Sequence, residues 1–445
     1  MPVPHPTLAV LTLPLTRVLG VVMLLGASLT VSPARAADWL RILGEEAPGA
    51  EAKPRATGFL EAVGEGIIGG ASARGLPPEL GDLEGASPSF NRVGPGEARW
   101  GFSVRRARFG LRGVVPGSID IVSYAIAAEF GDNQLTRTEP VVLTDAAANL
   151  RLAPFAQLRV GQFKLPTAEE AIESNPQAAH FVNFSTGLSA LMLESPVEDG
   201  KYTGGASGLR DVGAMFWGHH DVGGGGLRYA LMLSNGRMGG LDVDDNKDLT
   251  GRVSAVLWGR GDQRDPHRDE LTTWAWWQEG SRIVAPARSA APADVQPQRH
   301  DRRRRGAGMG LQIGGLHLRA EGIDAQGVID AGYRLPFPGQ EIVILPEARA
   351  RAASGFLHAD HALESGLSLG AGLRYDRMHR WTDGPADARV FQTWTANGTI
   401  GLGEKVRVLV DYERRSADAP EGSAATRRLL DTMGDRVSSE LVVQF

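Results

Sequence analysis

Arg105-Arg106-Ala107-Arg108-Phe109-Gly110-Leu111-Arg112-Gly113, within the run Trp100 to Val114, alternates with a period of two. Ala107, Phe109 and Leu111 fall on one face, and Arg106, Arg108, Gly110 and Arg112 fall on the other. A strand sends successive side chains to opposite faces, so this is a strand with one oily and one cationic side. A soluble sheet also alternates, but three arginines opposite aromatic and aliphatic residues fit a wall between lipid and a wet lumen.

The pattern repeats downstream. Ser118 to Phe130 sets Val122, Tyr124, Ile126, Ala128 and Phe130 against Ser123, Ala125, Ala127 and Glu129. Val141 to Leu152 sets Ala146, Ala148, Leu150 and Leu152 against Asp145, Asn149 and Arg151, and Phe155 to Lys164 sets Ala156, Leu158 and Val160 against Gln157, Arg159 and Gly161. Runs of about ten residues suit tilted membrane strands. Pro166 to Gly200 then breaks the alternation and carries Glu169, Glu170, Glu173, Glu194, Glu198 and Asp199. A long loop between strands reads as a constriction folded into the lumen. Strand-like runs resume at Val212 to Trp217, Leu227 to Leu233, Leu249 to Trp258 and Leu271 to Gln278. Gly280 to Arg305, with Arg302-Arg303-Arg304-Arg305, reads as an exposed loop, and further strands fit Ala307 to Ile323, Glu341 to Leu357, Leu367 to Arg374, Val390 to Leu402, Val406 to Arg414 and Arg436 to Phe445. At roughly 20 to 25 residues per strand and connection, 97–445 holds about 14 to 17 strands; bacterial barrels take even numbers, so 16 are expected.

The ends agree. Arg17, the apolar run Val18 to Val31 and Ala34-Arg35-Ala36 form an export signal over 1–36, with the mature chain expected to start at Ala37. The stretch 37–96 lacks a clean period and reads as a loose periplasmic extension, with a first strand possible near Phe59 to Ile68. No later stretch is apolar enough for a spanning helix. The last strand places Leu441, Val443 and Phe445 on one face and ends on the aromatic that the barrel-assembly machinery recognises. The chain holds no cysteine, so stability comes from elsewhere, and a closed sheet pairs every backbone group. A net charge of −5 over 445 residues points to no nucleic-acid partner. The expected setting is the outer membrane of a Gram-negative bacterium, in contact with its lipid.

Several short motifs carry a family likeness. Arg105 to Gly113 resembles the early arginine-rich strand of the phosphate-selective porin O and P family. Gly161-Gln162-Phe163-Lys164-Leu165-Pro166 resembles its Gly-Gln-x-Lys-x-Pro motif, Arg210-Asp211-Val212-Gly213 its Arg-Asp-x-Gly, and Ser234-Asn235-Gly236 its later Asn-Gly. Order and spacing agree from about Arg105 to Arg252. The resemblance implies a 16-stranded barrel, usually a homotrimer, with an inward loop and an arginine ladder that conducts anions. Two features depart from phosphate-specific members: lysine is sparse, and the long loop is acidic. The resemblance therefore implies a channel for small anionic solutes more firmly than it implies phosphate.

Arg106, Arg108 and Arg112, joined by Arg151, Arg159 and Lys164, are the candidate pore-lining and anion-binding residues. Guanidinium groups hold their charge and grip oxyanions through a rigid fork. The alternative is that these cations pair with lumen carboxylates such as Glu129 and Asp145 and only brace the wall. His219-His220 and His358 with His361 point to opposite faces of a strand, so no metal site and no cofactor is expected. Ser207 lies outside any nucleophile elbow, and no catalytic residue is assigned. Trp217, Trp258, Trp274, Trp276 and Trp277 read as interfacial girdle residues. Passive diffusion through a water-filled barrel is the leading expectation. A structural or adhesive barrel with a closed lumen, or a barrel enzyme, is the alternative.

Overall fold

Alternation that runs the length of a chain can satisfy every backbone group only if the sheet closes on itself. It does so here. In the computed structural model, sixteen antiparallel strands among the described residues form a closed barrel. The described residues are 54–70, 87–88, 100–118, 121–131, 140–173, 179–193, 197–198, 201–202, 209–237, 242, 245–261, 268–284, 298–330, 333–334 and 344–445. The expected export signal at 1–36 lies outside them.

The first eight barrel strands are β1 (Arg55–Ile68), β2 (Trp100–Val114), β3 (Val122–Glu129), β4 (Val142–Ala153), β5 (Ala156–Lys164), β6 (Arg210–Val222), β7 (Gly225–Ser234) and β8 (Asp248–Arg260). The remainder are β9 (Asp269–Val284), β10 (Gln298–Ile313), β11 (Leu316–Gln326), β12 (Arg349–Ala362), β13 (Leu367–Trp381), β14 (Arg389–Leu402), β15 (Val406–Asp418) and β16 (Asp435–Gln444). Each pairs with the next, and β1 pairs with β16. Tight turns such as Pro154-Phe155, Gly223-Gly224 and Gly314-Gly315 gather at one end, and the long connections gather at the other.

Three expectations change. β1 belongs to the wall, so the barrel begins at Arg55 and not at 97. Gly58, Gly64 and Gly66 blur its apolar face, yet each leaves room for a neighbouring ring: Phe445, Phe102 and Trp100. Ala307 to Ile323 is two strands, because the Gly314-Gly315 turn separates β10 from β11. Arg302 to Arg305 lies within β10, not in a loop: Arg302 and Arg304 are buried, whereas Arg303 and Arg305 are exposed on the outer face.

The C-terminal aromatic seals the cylinder. Phe445 N donates to Gly58 O at 3.1 Å, and Gly58 N donates to Phe445 O at 3.2 Å. A Cβ at Gly58 would come within 2.5 Å of the Phe445 ring, so this close approach needs glycine. Outside, Phe109, Leu111, Ile126, Phe216, Met309 and Val410 stand exposed, as a lipid-facing band requires.

A bulge sets the lumen face of β2. Glu61 of β1 faces Arg106, but Ala62 faces Val104, which leaves Arg105 as the extra residue. An extra residue shifts the alternation by one. Arg105 and Arg106, though adjacent, therefore both reach inward, to loop residue Asn183 and to Glu61.

Between β5 and β6 the chain folds into the barrel through α1 (Glu169–Ile172) and α2 (Thr186–Leu191). Ser185 caps α2, its Oγ accepting from Leu188 N at 3.3 Å. Leu188, Leu191 and Met192 pack on Ala348, Ala350, Ala352, Met378 and Phe391 in an apolar cluster inside the cylinder. Gly187 lies so close to β12 that its Cβ would sit 2.5 Å from that of Ala352. Trp274 and Trp276 join this cluster, and Trp217 is also fully buried. These three tryptophans are interior residues, not girdle residues, because their strand positions share the lumen side; Trp258 and Trp277 do face outward.

Candidate functional site

The predicted cations sit on one arc of the wall: Arg106, Arg108 and Arg112 on β2, Arg151 on β4, and Arg159 and Lys164 on β5. Arg106 Nε donates to Glu61 Oε2 at 2.5 Å, and Arg108 Nη2 donates to Glu129 Oε2 at 2.9 Å. Glu129 Oε1 also accepts from Ala107 N at 2.7 Å and Gly131 N at 3.0 Å. The side chains of Glu61 and Glu129 are 1% and 0% exposed, against 18% and 12% for Arg106 and Arg108. The lumen therefore meets the cationic half of each pair. Arg112 and Arg151 are half-buried lower on the same arc.

Arg159 and Lys164 take other places. Arg159 is 2% exposed, with its guanidinium carbon 5.6 Å from the Phe163 ring and 5.8 Å from that of Trp217. Such cation–π contacts brace the wall. Lys164 is buried and donates to Ile172 O at 2.8 Å, tying the end of α1 to β5. Arg210, the first residue of the Arg-Asp-x-Gly motif, joins these cations although it lies outside the predicted set. Its Nε lies 3.2 Å from both Asp145 oxygens. Arg108, Lys164 and Arg210 all interact electrostatically with Asp145, so this carboxylate gathers charge from three strands.

Other arginines pin the loop. Arg252 of β8 donates to Thr167 O and pairs with Glu169. Arg319 of β11 pairs with Glu173. Arg374 of β13 donates to Asn183 O at 2.8 Å and lies 3.5 Å from Glu170. Arg105 donates to Val182 O at 2.5 Å and Asn183 Oδ1 at 3.1 Å. Among the described residues, the loop carboxylates Glu169, Glu170 and Glu173, which on sequence grounds oppose anions, thus each have an arginine partner. Glu194 and Asp199 lie outside the described residues, as does the Glu198 side chain.

Between loop and wall lies a recess open to solvent, lined in part by Glu173, His180, Arg228, Arg252, Trp274 and Arg319. Burial pushes the Glu173 carboxyl up to about 7; Arg319 works against this, and Glu169 and Glu321 add to it. Burial holds the His180 imidazole well below its usual range, helped by His358, His317 and nearby arginines. His358 lies inside the barrel on β12, its Nδ1 3.1 Å from Asp360 Oδ2. His219, on β6, places Nδ1 3.0 Å from Asp221.

The family model described as Phosphate-selective porin O and P matches residues 90–185, which hold β2 to β5 and much of the loop. No curated protein matches the chain. Among solved structures, OmpF of Salmonella typhi, in complex with daunomycin, superposes with a TM-score of 0.54 at 11% identity, covering 88% of this chain and 98% of that one. An anion-selective porin from Comamonas acidovorans gives 0.52 at 11% identity, covering 89% and 100%. A loop L8 deletion form of OmpT, an outer membrane protein of Vibrio cholerae, gives 0.51 at 8% identity, covering 89% and 100%. At such identities the structural likeness is one of fold. The chain is a closed sixteen-stranded barrel with the porin fold, and over residues 90–185 it resembles the phosphate-selective porin O and P family.

Proposed function

We propose that this porin passes small anions by passive diffusion along the β2 to β4 arc, with Arg106, Arg108, Arg112 and Arg151 as the attracting groups. The observation that carries this reading is the asymmetry of two ion pairs. Glu61 and Glu129 are enclosed in the wall while Arg106 and Arg108 keep an edge on the lumen. An anion meets guanidinium first, and rings of such charge select anions in pores. Arg159 and Lys164 serve as braces in this reading. Phosphate is one member of the class, and the assembly is a homotrimer, as the family resemblance implies. The reversal potential in a KCl gradient across a planar bilayer tests the charge preference. Anion selectivity is expected, and cation selectivity overturns the proposal. Addition of phosphate then separates a phosphate site, which slows chloride current, from general anion preference.

A structural barrel with a closed lumen is a second reading, favoured by the apolar cluster that α2 builds against β12 to β14. A silent bilayer would favour it over the channel.

A further inference from the structure

We propose that His180, His358 and Asp360 form a site for a divalent first-row transition metal that clamps the inward loop to the wall. One ligand atom from each of these residues lies within 4.8 Å of the others. His180 comes from the loop, and the other two come from β12. His317 of β11 stands beside them, its ring 4.8 Å from that of His180 and its Nε2 3.8 Å from Asp360 Oδ2.

The hydrogen-bond network fixes how His358 is presented. Asn397 Nδ2 donates to Asp411 Oδ1 at 2.6 Å, so Asn397 Oδ1 is turned toward His358. That oxygen lies 3.2 Å from His358 Nε2 and can only accept, which puts a proton on Nε2. In the neutral ring Nδ1 then carries a lone pair, aimed at Asp360 Oδ2 only 3.1 Å away. Two lone pairs at that distance repel unless a positive species sits between them, a proton or a metal ion. His180 offers a second imidazole nitrogen: its Nδ1 is buried and has no hydrogen-bond partner among the described residues. A histidine held through its far nitrogen by an oxygen acceptor is the usual outer arrangement around a bound metal.

The donor set selects the metal class. Two imidazoles and one carboxylate suit zinc and its first-row neighbours. Calcium and magnesium call for more oxygen donors, and Arg319 and Arg407 nearby disfavour a site that depends on accumulated negative charge. Ligands around zinc at about 2.0–2.2 Å stand closer together than 4.8 Å. Closing that gap draws His180 toward β12 and tightens the loop.

The test uses the full chain without an affinity tag, extracted in detergent, stripped with chelator and titrated calorimetrically with zinc chloride. One zinc per chain is expected. His180→Ala and His358→Gln should each weaken it more than about tenfold, and Asn397→Ala by about tenfold. His219→Ala, at the unrelated β6 pair, should bind as the parent does. Absence of zinc uptake by the parent overturns the proposal, and so does equal uptake by His180→Ala. Heat-modifiable gel mobility reports barrel closure; should His358→Gln fail to close, His180→Ala, a loop variant outside the wall, decides alone. Binding is read without current, so a failed channel reading leaves this result interpretable.

Discussion

Glu129 stands behind Arg108 in the barrel wall, fully enclosed and 2.9 Å from the guanidinium, while the arginine keeps its free edge on the lumen. Two backbone N–H groups, of Ala107 and Gly131, hold the same carboxylate. Arg108→Ala therefore uncovers a negative charge that retains its other donors. One unit charge at contact distance in water amounts to about 1 kcal/mol, a factor of roughly five in local ion preference. The anion-over-cation permeability ratio should fall about that much, and Arg108→Glu should lower it further. An unchanged reversal potential in both variants would remove Arg108 from the conduction path.

Asn183 fastens the loop from three directions. Its Oδ1 accepts from Arg105, its Nδ2 donates to Ser438 Oγ at 2.9 Å, and its carbonyl accepts from Arg374. Asn183→Ala removes the first two: Arg105 keeps Val182 O, Glu65 and Glu440, whereas the buried Ser438 hydroxyl on β16 loses this donor, at a cost of roughly 1–3 kcal/mol. The loop should then swing more freely, with larger and noisier single-channel current. A trace of parental conductance and noise would show that Arg374 and the Val182 N to Asp411 bond, at 2.8 Å, suffice to hold it.

The sequence carried the wall more clearly than the interior. Period-two alternation made β2 to β5 legible because lipid and water sort side chains sharply. β1 was harder to see, since its three outward glycines borrow rings from neighbouring strands. Arg105 illustrates a deeper limit. By phase it belongs outside, and only the pairing of Glu61 with Arg106 and of Ala62 with Val104 reveals the bulge that turns it inward. The apolar interior was hidden for a related reason. Trp274 and Trp276 look like interfacial aromatics until the strand register places them over Gly306 and Gly308 of β10 and beneath the loop. Partners of Glu169, Glu170 and Glu173 come from strands far along the chain, and no local spacing announces them.

Glu173 predicts a response to pH. Its carboxyl is pushed up to about 7 against an ordinary value of 4.5. The folded chain thus binds a proton more tightly than the unfolded one between those limits. The associated stability is present below about 4.5 and is lost as pH rises through about 7. Lowering pH from 8 to 6 also neutralises a carboxylate beside Arg319, so anion preference should rise. Glu173→Gln should abolish that change, and reversal potentials at the two pH values check it. Equal pH dependence in parent and variant would assign the titration to another group.

Glu321 collects three donors at the junction of loop and wall. Its Oε1 accepts from Trp274 Nε1 at 3.0 Å and Trp276 Nε1 at 2.9 Å, and its Oε2 accepts from Glu169 N at 3.0 Å. The two indoles lie inside the apolar cluster. Glu321→Ala leaves these donors unpaired, at roughly 1–3 kcal/mol for each that stays buried. Glu321→Gln keeps an acceptor oxygen for the indoles and loses only part of the set. The temperature of the heat-modifiable gel transition should therefore drop clearly for the alanine variant and by less than half as much for glutamine. Tryptophan emission should shift to the red in the alanine variant as water reaches the exposed N–H groups. Parental emission and transition temperature in Glu321→Ala would mean that the indoles are held by packing alone, and the carboxylate would then have no part in seating the loop.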